Sequence, residues 1–238
     1  VCTNRYVSSA PRLAERLKKL GLRNVDFLEE KSFPDVYYDE NQADEATVRS
    51  MFSKYDGIIF ATNYAWDEES DIRRCWGNIF KECLDRGVGV IQLVFAHCSG
   101  SENLGGAWEE SNMSAIVPLA FEEDGDVRTQ LYKEVYIDVL QPKHFLWNGV
   151  PEYLKKDYTK GNGYISTGKP HPDGTIIANI ANIKKIEHQL PFAVVLDKFK
   201  GKSLALNFHP EQEKEEDLLL FNAFVFVARP EEYENSTK

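Results

Sequence analysis

No stretch of this chain approaches the roughly 20 consecutive apolar residues that a bilayer-spanning helix needs. A basic excess is also missing. Lysine and arginine number 28 against 38 aspartates and glutamates, a formal net charge of −10, and the isoelectric point is near 5.1. A general nucleic-acid binder needs a basic face to meet phosphate, and an anionic membrane repels an acidic surface, so neither partner is expected. Cysteine is scarce. Cys2, Cys75, Cys83 and Cys98 form no CxxC pair and no disulfide framework. Cys75 and Cys83 fall in one expected helix at a separation of about 12 Å, too far to bridge. Reduced thiols and a cytoplasmic setting are therefore expected. No GxGxxG or GxxxxGK motif occurs, so nucleotide binding has no signature. His97, His144, His171, His188 and His209 show no HxH or HExxH spacing, and no metal or other cofactor is expected. The acidic run 122–126 lacks the Glu that closes an EF-hand loop and reads as solvated surface. The opening Val1-Cys2-Thr3-Asn4-Arg5 has neither an initiator Met nor a signal-peptide layout, and it reads as a strand entered partway. The expectation is a domain cut from a longer protein.

What is present is an ordinary globular composition, 42% hydrophobic and 28% charged over 238 residues, enough for one large core. The order of elements is the informative feature. Leu13, Leu17 and Leu20 repeat at helical spacing over 8–20, and Gly21 is a stop signal. A short strand is expected at 25–28, then a helix over 45–55 with Val48, Met51 and Phe52 on one face. The apolar run 56–62 suits a strand buried on both faces of a parallel sheet. A helix over 67–86 should turn Ile72, Cys75, Trp76, Ile79, Phe80 and Leu84 inward, and 88–96 should be the next buried strand. Alternation of this kind predicts right-handed βαβ units and a doubly wound, mostly parallel sheet with helices on both faces, flavodoxin-like in class.

The second half reads as richer in β structure. An extended segment is expected at 114–121 and an ambiguous β-rich one at 131–140. Gly161, Gly163, Gly168, Pro170 and Pro172 mark loops around a short strand at 164–166. Strands are expected at 175–181, 191–196 and 203–208, the last two joined as a hairpin by the polar turn 197–202. A final helix over 213–227 offers Leu218, Leu219, Phe221, Phe224 and Val225 for packing. With no repeat and no linker, one domain over 1–230 with a polar tail at 231–238 is expected.

Three constellations carry possible chemistry. Ala96-His97-Cys98-Ser99-Gly100 follows a strand, and ligands gather at the carboxyl ends of parallel strands. A Cys on such a turn is either an exposed nucleophile or a small buried hydrophobe. Asn207-Phe208-His209-Pro210-Glu211 follows another strand. His209 there could be a general base oriented by Glu211. Alternatively His209 bonds a loop carbonyl, and the acids beyond Pro210 suit a helix N-terminus. The loop 99–108, with Gly105-Gly106, is either a source of amides for an oxyanion or a tight turn.

Together these pieces resemble class I glutamine amidotransferase-like domains, the superfamily that includes ThuA-like proteins. Asn207-Phe208-His209-Pro210-Glu211 is similar to the QFHPE stretch of true amidotransferases, and Cys98 falls where their nucleophile sits. A closer resemblance is to a divergent branch often found within larger proteins. It is carried by Tyr55-Asp56-Gly57-Ile58-Ile59, Gly89-Val90-Ile91, Leu104-Gly105-Gly106-Ala107-Trp108 and His144-Phe145-Leu146-Trp147-Asn148-Gly149-Val150. Pro191-Phe192-Ala193-Val194-Val195 and Ser203-Leu204-Ala205-Leu206-Asn207-Phe208 resemble its final two strands. The chain departs from the catalytic pattern in two places. Ala96 replaces the first Gly of the GxCxG elbow, and Ala61-Thr62-Asn63-Tyr64 stands where a Gly-rich oxyanion turn would be.

The resemblance implies three alternative functions. The first is a non-catalytic binding or interaction module whose partner is another domain of a parent protein or a separate protein. The second is a Cys-dependent hydrolase or glutaminase, with Cys98 as nucleophile, His209 as base, Glu211 as orienter, and Gly105-Gly106 or the amides beside Cys98 holding the oxyanion. The third is a small-molecule or carbohydrate-binding ThuA-like domain, with Asn63, His97, Trp108 and His209 lining a cleft.

Overall fold

The computed structural model describes residues 2–3, 10–29, 43–61, 72–93, 113–127, 134–150, 156–157, 165–182, 190–208 and 215–229. Two apolar runs set the frame. Strand β3 (Gly57–Ala61) and strand β4 (Gly89–Leu93) pair in parallel, with Ile58 opposite Val90 and Phe60 opposite Gln92. Every residue of β4 is buried, as a strand covered on both faces requires. Beyond β3 come β1 (Cys2–Thr3) and then β2 (Leu28–Glu29), both parallel to their neighbours. On the other side β4 pairs in parallel with β11 (Ser203–Leu206).

The remaining strands of this nine-stranded sheet run in order β11, β10 (Leu190–Leu196), β9 (Thr175–Asn182), β6 (Glu134–Val139) and β7 (Lys156–Asp157), each antiparallel to the last. The expectation of a mostly parallel sheet is thus corrected to a mixed one. The reason is connection length: the 197–202 turn is far too short for a parallel crossover, so it can only join antiparallel neighbours. The hairpin read from the sequence is present, with Leu196 opposite Ser203 and Ala193 opposite Leu206. A separate two-stranded antiparallel sheet pairs β5 (Leu119–Val127) with β8 (Ile165–Pro170).

Helices cover both faces, and alternation along the strands assigns each residue to a side. Ile59, Ala61, Ile91, Leu93, Leu204 and Leu206 join one core cluster with α1 (Ala10–Lys19) and the last helix. Ile58, Phe60 and Val90 join the other, with α2 (Ala43–Phe52), α3 (Ile72–Arg86) and the short α4 (Met113–Ile116). In α3, Ile79, Phe80, Cys83 and Leu84 are buried. The side chains of Ile72, Cys75 and Trp76, expected to point inward, lie outside the described residues.

The last helix, α5 (Glu215–Ala228), buries Leu219, Leu220, Ala223, Phe226 and Val227, while Leu218, Phe221 and Phe224 pack at its margins. Periodicity misassigns part of this face because the helix is apolar nearly all round. It lies over the sheet, touches α1 through the Arg16–Asp217 ion pair, and holds the 3-10 turn Phe145–Trp147. Asn222 Nδ2 donates to the carbonyls of Leu146 and Asn148, at 3.1 and 2.8 Å. Two strand glycines exist for this packing. A Cβ on Gly57 would meet the Phe224 ring at 3.0 Å, and one on Gly89 would meet the Val227 carbonyl oxygen at 2.3 Å.

Other departures from the sequence reading are local. Leu20 is 40% exposed, because α1 ends at Lys19 and Gly21 turns the chain with φ +112°. Residues 114–116 are helical before β5 begins. Gly168 and Pro170, read as loop markers, belong to β8. At Gly168 a Cβ would approach the Ala120 carbonyl oxygen at 2.9 Å, so glycine there marks a close strand approach and not a turn.

Candidate functional site

The register of β3, β4 and β11 decides where a site can form. Phe60 is opposite Gln92, Gln92 opposite Ala205, and Leu93 opposite Leu206. The carboxyl ends of three neighbouring parallel strands therefore open at one edge, at the usual strand spacing of about 4.8 Å. From this edge the chain continues to Asn63 after β3, to His97 and Cys98 after β4, and to His209 and Glu211 after β11. Asn63, His97, Cys98, Gly105, Gly106, Trp108, His209 and Glu211 themselves all lie outside the described residues. The structure brings together the strands that lead to them and gives no geometry for the side chains.

The departure from β11 toward His209 is well anchored. The backbone N–H of Asn207 donates to the Phe192 carbonyl at 2.7 Å, and its side-chain amide donates to the Pro191 carbonyl at 3.0 Å. Phe208 is fully buried and stacks on Phe192, with ring centroids 5.9 Å apart and planes at 17°. The first two residues of Asn207-Phe208-His209-Pro210-Glu211 thus lock the strand end to β10. Sequence reasoning concentrated on the histidine and overlooked these two. The signal was available in the apolar Phe208 and in an amide side chain at a strand end.

Beneath the same strands lies a buried polar chain. Ser203 Oγ donates to the Ile116 carbonyl at 3.0 Å and accepts from Gln92 Nε2 at 3.3 Å, and both side chains are fully buried. This ties α4 to the centre of the sheet, and no pattern in the sequence pointed to it.

Two other histidines belong to the opposite edge. His144 precedes the 3-10 turn, and its Nδ1 accepts from the Leu146 N–H at 3.3 Å while its ring packs edge-on against Phe226. Burial, reinforced by the nearby Lys202 ammonium, pushes its imidazole down to about 4. His171 accepts from the Asp173 N–H at 3.0 Å and lies 3.1 Å from Lys198 Nζ. Its pKa is lowered by burial and by Lys198. Lys198 and Lys202 stand in the turn before β11, so both histidines sit by the amino ends of the parallel strands. Cys83 is a free thiol on the inner face of α3, and burial pushes it up to about 11, which suits packing and not nucleophilic work. Among the described residues no group of three or more His, Cys, Asp or Glu side chains is arranged to hold a metal. No described helix is long and apolar enough to cross a membrane.

Comparison with solved structures settles the architecture. A cytoplasmic protein from Salmonella typhimurium superimposes with a TM-score of 0.62 at 15% identity, covering 92% of this chain and 86% of the other. A protein from Bacteroides uniformis described as ThuA-like gives 0.57 at 15% identity, over 95% and 89% of the two chains. A Thermoplasma acidophilum protein described as a GMP synthase subunit gives 0.54 at 13% identity, over 99% and 98%. The fold is ThuA-like and class I amidotransferase-like. No family model and no curated protein matches the sequence. At these identities the ThuA-like fold is what is shared, and a fold hosts many activities.

Proposed function

We propose that this chain is a non-catalytic amidotransferase-like module that works by binding a partner, as a domain of a larger cytoplasmic protein or within an assembly. The observation that carries the reading is the composition of the carboxyl edge. Strand β3 leaves the sheet at Ala61 into Thr62-Asn63-Tyr64, without the glycines that would let backbone amides converge on an oxyanion. Ala96 occupies the position of the first elbow glycine before Cys98. The glycines that the parallel strands do contain, Gly57 and Gly89, lie at their amino ends and serve the packing of α5. The strand glycines thus serve helix packing, and Thr62-Asn63-Tyr64 and Ala96 stand at two positions where the catalytic pattern has glycine.

A second reading is favoured by one specific observation. Strands β4 and β11 are neighbours with Leu93 opposite Leu206, so Cys98 and His209 follow adjacent strand ends. On this reading Cys98 is the nucleophile of a glutaminase-like hydrolase, His209 takes its proton and Glu211 orients the imidazole.

Alkylation of Cys98 between about pH 5 and 9 separates the two, in a Cys2→Ser/Cys75→Ser background with His209→Ala as control. The interaction module is expected to label with an ordinary or raised thiol pKa that His209→Ala leaves alone. A thiolate persisting well below the free value of about 8.5, and lost in His209→Ala, would overturn that reading and establish the dyad.

A further inference from the structure

Helix α1 carries charge opposite in sign to the chain as a whole. Between residues 10 and 24 stand Arg12, Arg16, Lys18, Lys19 and Arg23 against a single acid, Glu15, in a protein of net charge −10. Two of the bases are paired within the chain. Arg16 Nε pairs with Asp217 Oδ1 at 2.9 Å, and Lys18 Nζ pairs with Glu15 at 2.9 Å. Arg12, Lys19 and Arg23 are exposed. Steps of four and three along the helix set Arg12, Arg16 and Lys19 in one row, with Arg12 and Lys19 about 10 Å apart along the axis.

The helix's own electrostatics account for only part of this. Lys18 and Lys19 in the last turn complement its negative end, but Arg12 in the first turn opposes the positive end, and Arg23 stands beyond the helix. Directly after Lys19, just past the end of α1, Leu20 is 40% exposed, while Leu13 and Leu17 within the helix are fully buried. Leu20 belongs to neither core cluster of the described residues. An exposed apolar side chain that lies between Lys19 and Arg23 in sequence, at the end of a helix packed against α5 and the sheet, matches an acidic chain that carries an apolar anchor.

We infer that α1 and the turn that follows it are a docking surface for an acidic segment of a protein partner, with Leu20 as the apolar contact and Arg12, Lys19 and Arg23 meeting its carboxylates. This rests on the interaction-module reading and names the chemistry of the partner. An acidic partner is repelled by most of this chain's surface, so the cationic face also sets its orientation on approach.

The test uses the whole chain and a fluorescein-labelled random copolymer of glutamate and leucine, followed by anisotropy at low and physiological salt. The expected result is binding that weakens with salt and falls on the order of tenfold in Arg12→Glu/Lys19→Glu/Arg23→Glu and again in Leu20→Asp. Urea midpoints check that each variant remains folded. Lys143→Glu/Lys169→Glu/Lys200→Glu changes the net charge equally and is expected to leave binding within about twofold. Equal loss in the two triple variants, no loss in the first, no binding by the wild-type chain, or binding only to phosphatidylserine vesicles overturns the inference. The Cys98 labelling profile is read separately. A reactive Cys98 with intact copolymer binding removes the non-catalytic reading alone, and an inert Cys98 without binding removes the docking surface alone.

Discussion

Gly89→Ala should be among the most damaging single-methyl additions in the molecule. An ideal Cβ there lies 2.3 Å from the Val227 carbonyl oxygen and 2.5 Å from the Val227 carbonyl carbon and Cβ, so something must move by about an ångström. The obstacle is backbone in the last turns of α5, which no rotamer change can clear. Overpacking of this kind costs about 1–3 kcal/mol and sometimes more. If the end of α5 instead lifts from the sheet, Phe226 and Val227 lose burial worth about 1.5–3 kcal/mol each, which sets a ceiling of about 6. Gly57→Ala offers the internal comparison. Its added methyl meets the Phe224 ring at 3.0 Å and the Ala228 methyl at 3.1 Å, and the ring can yield by a few tenths of an ångström. A loss of about 1 kcal/mol is expected there. Urea titrations followed by tryptophan fluorescence give both midpoints, with the slope checked for a common transition. Val227→Ala should not rescue Gly89→Ala, because the clash is with the carbonyl. A Gly89→Ala cost no greater than that of Gly57→Ala, or rescue by Val227→Ala, would refute the backbone-clash reasoning.

Three further outcomes follow from buried polar groups. His144 is neutral in the folded chain down to about pH 4 and protonates near 6.5 when unfolded. Its contribution is therefore present above about pH 6.5 and lost as pH falls toward 4, by about 1–2 kcal/mol once its partial exposure is discounted. Unfolding midpoints at pH 7 and 4.5 should lie closer together in His144→Gln than in the wild type, and an unchanged gap counts against the assignment. Cys83 should resist thiol reagents until the chain unfolds, with labelling that tracks the urea transition, and rapid native-state labelling would contradict its burial. Asn222→Ala removes both donors to Leu146 and Asn148 and should cost about 2 kcal/mol. A midpoint within error of the wild type would show that water replaces those bonds freely.

Among the described residues up to Leu93, β3, β4 and their helices were legible because two periodicities coincide there: buried apolar runs at β3 and β4, and helices amphipathic at the spacing of Val48 with Phe52 or Phe80 with Leu84. The short strand expected at 25–28 lies instead at Leu28–Glu29. The 197–202 turn likewise determined its hairpin, since a connection of six residues is too short for a parallel crossover. The carboxyl-edge site was legible as a list of residue types after strands, Cys98 after one and His209 after another. That β4 and β11 are neighbours was not, because nothing local in either strand encodes pairing across more than a hundred residues. Helix α5 hid its inward face for a related reason: an element apolar on every side has no phase, and only its contacts with the sheet, α1 and the 3-10 turn choose one. Within the strand expected at 88–96 nothing local tells that Gly89 faces the Val227 carbonyl, and Gly168, which reads as a loop marker, is a glycine because Ala120 lies against it. Gln92, Ser203, Asn207 and Asn222 are polar residues whose buried partners lie far along the chain. Local sequence determined which segments could be helix or strand, through side-chain periodicity and turn length. Tertiary structure decided which of them meet, because pairing and packing depend on contacts that exist only once the chain has closed on itself.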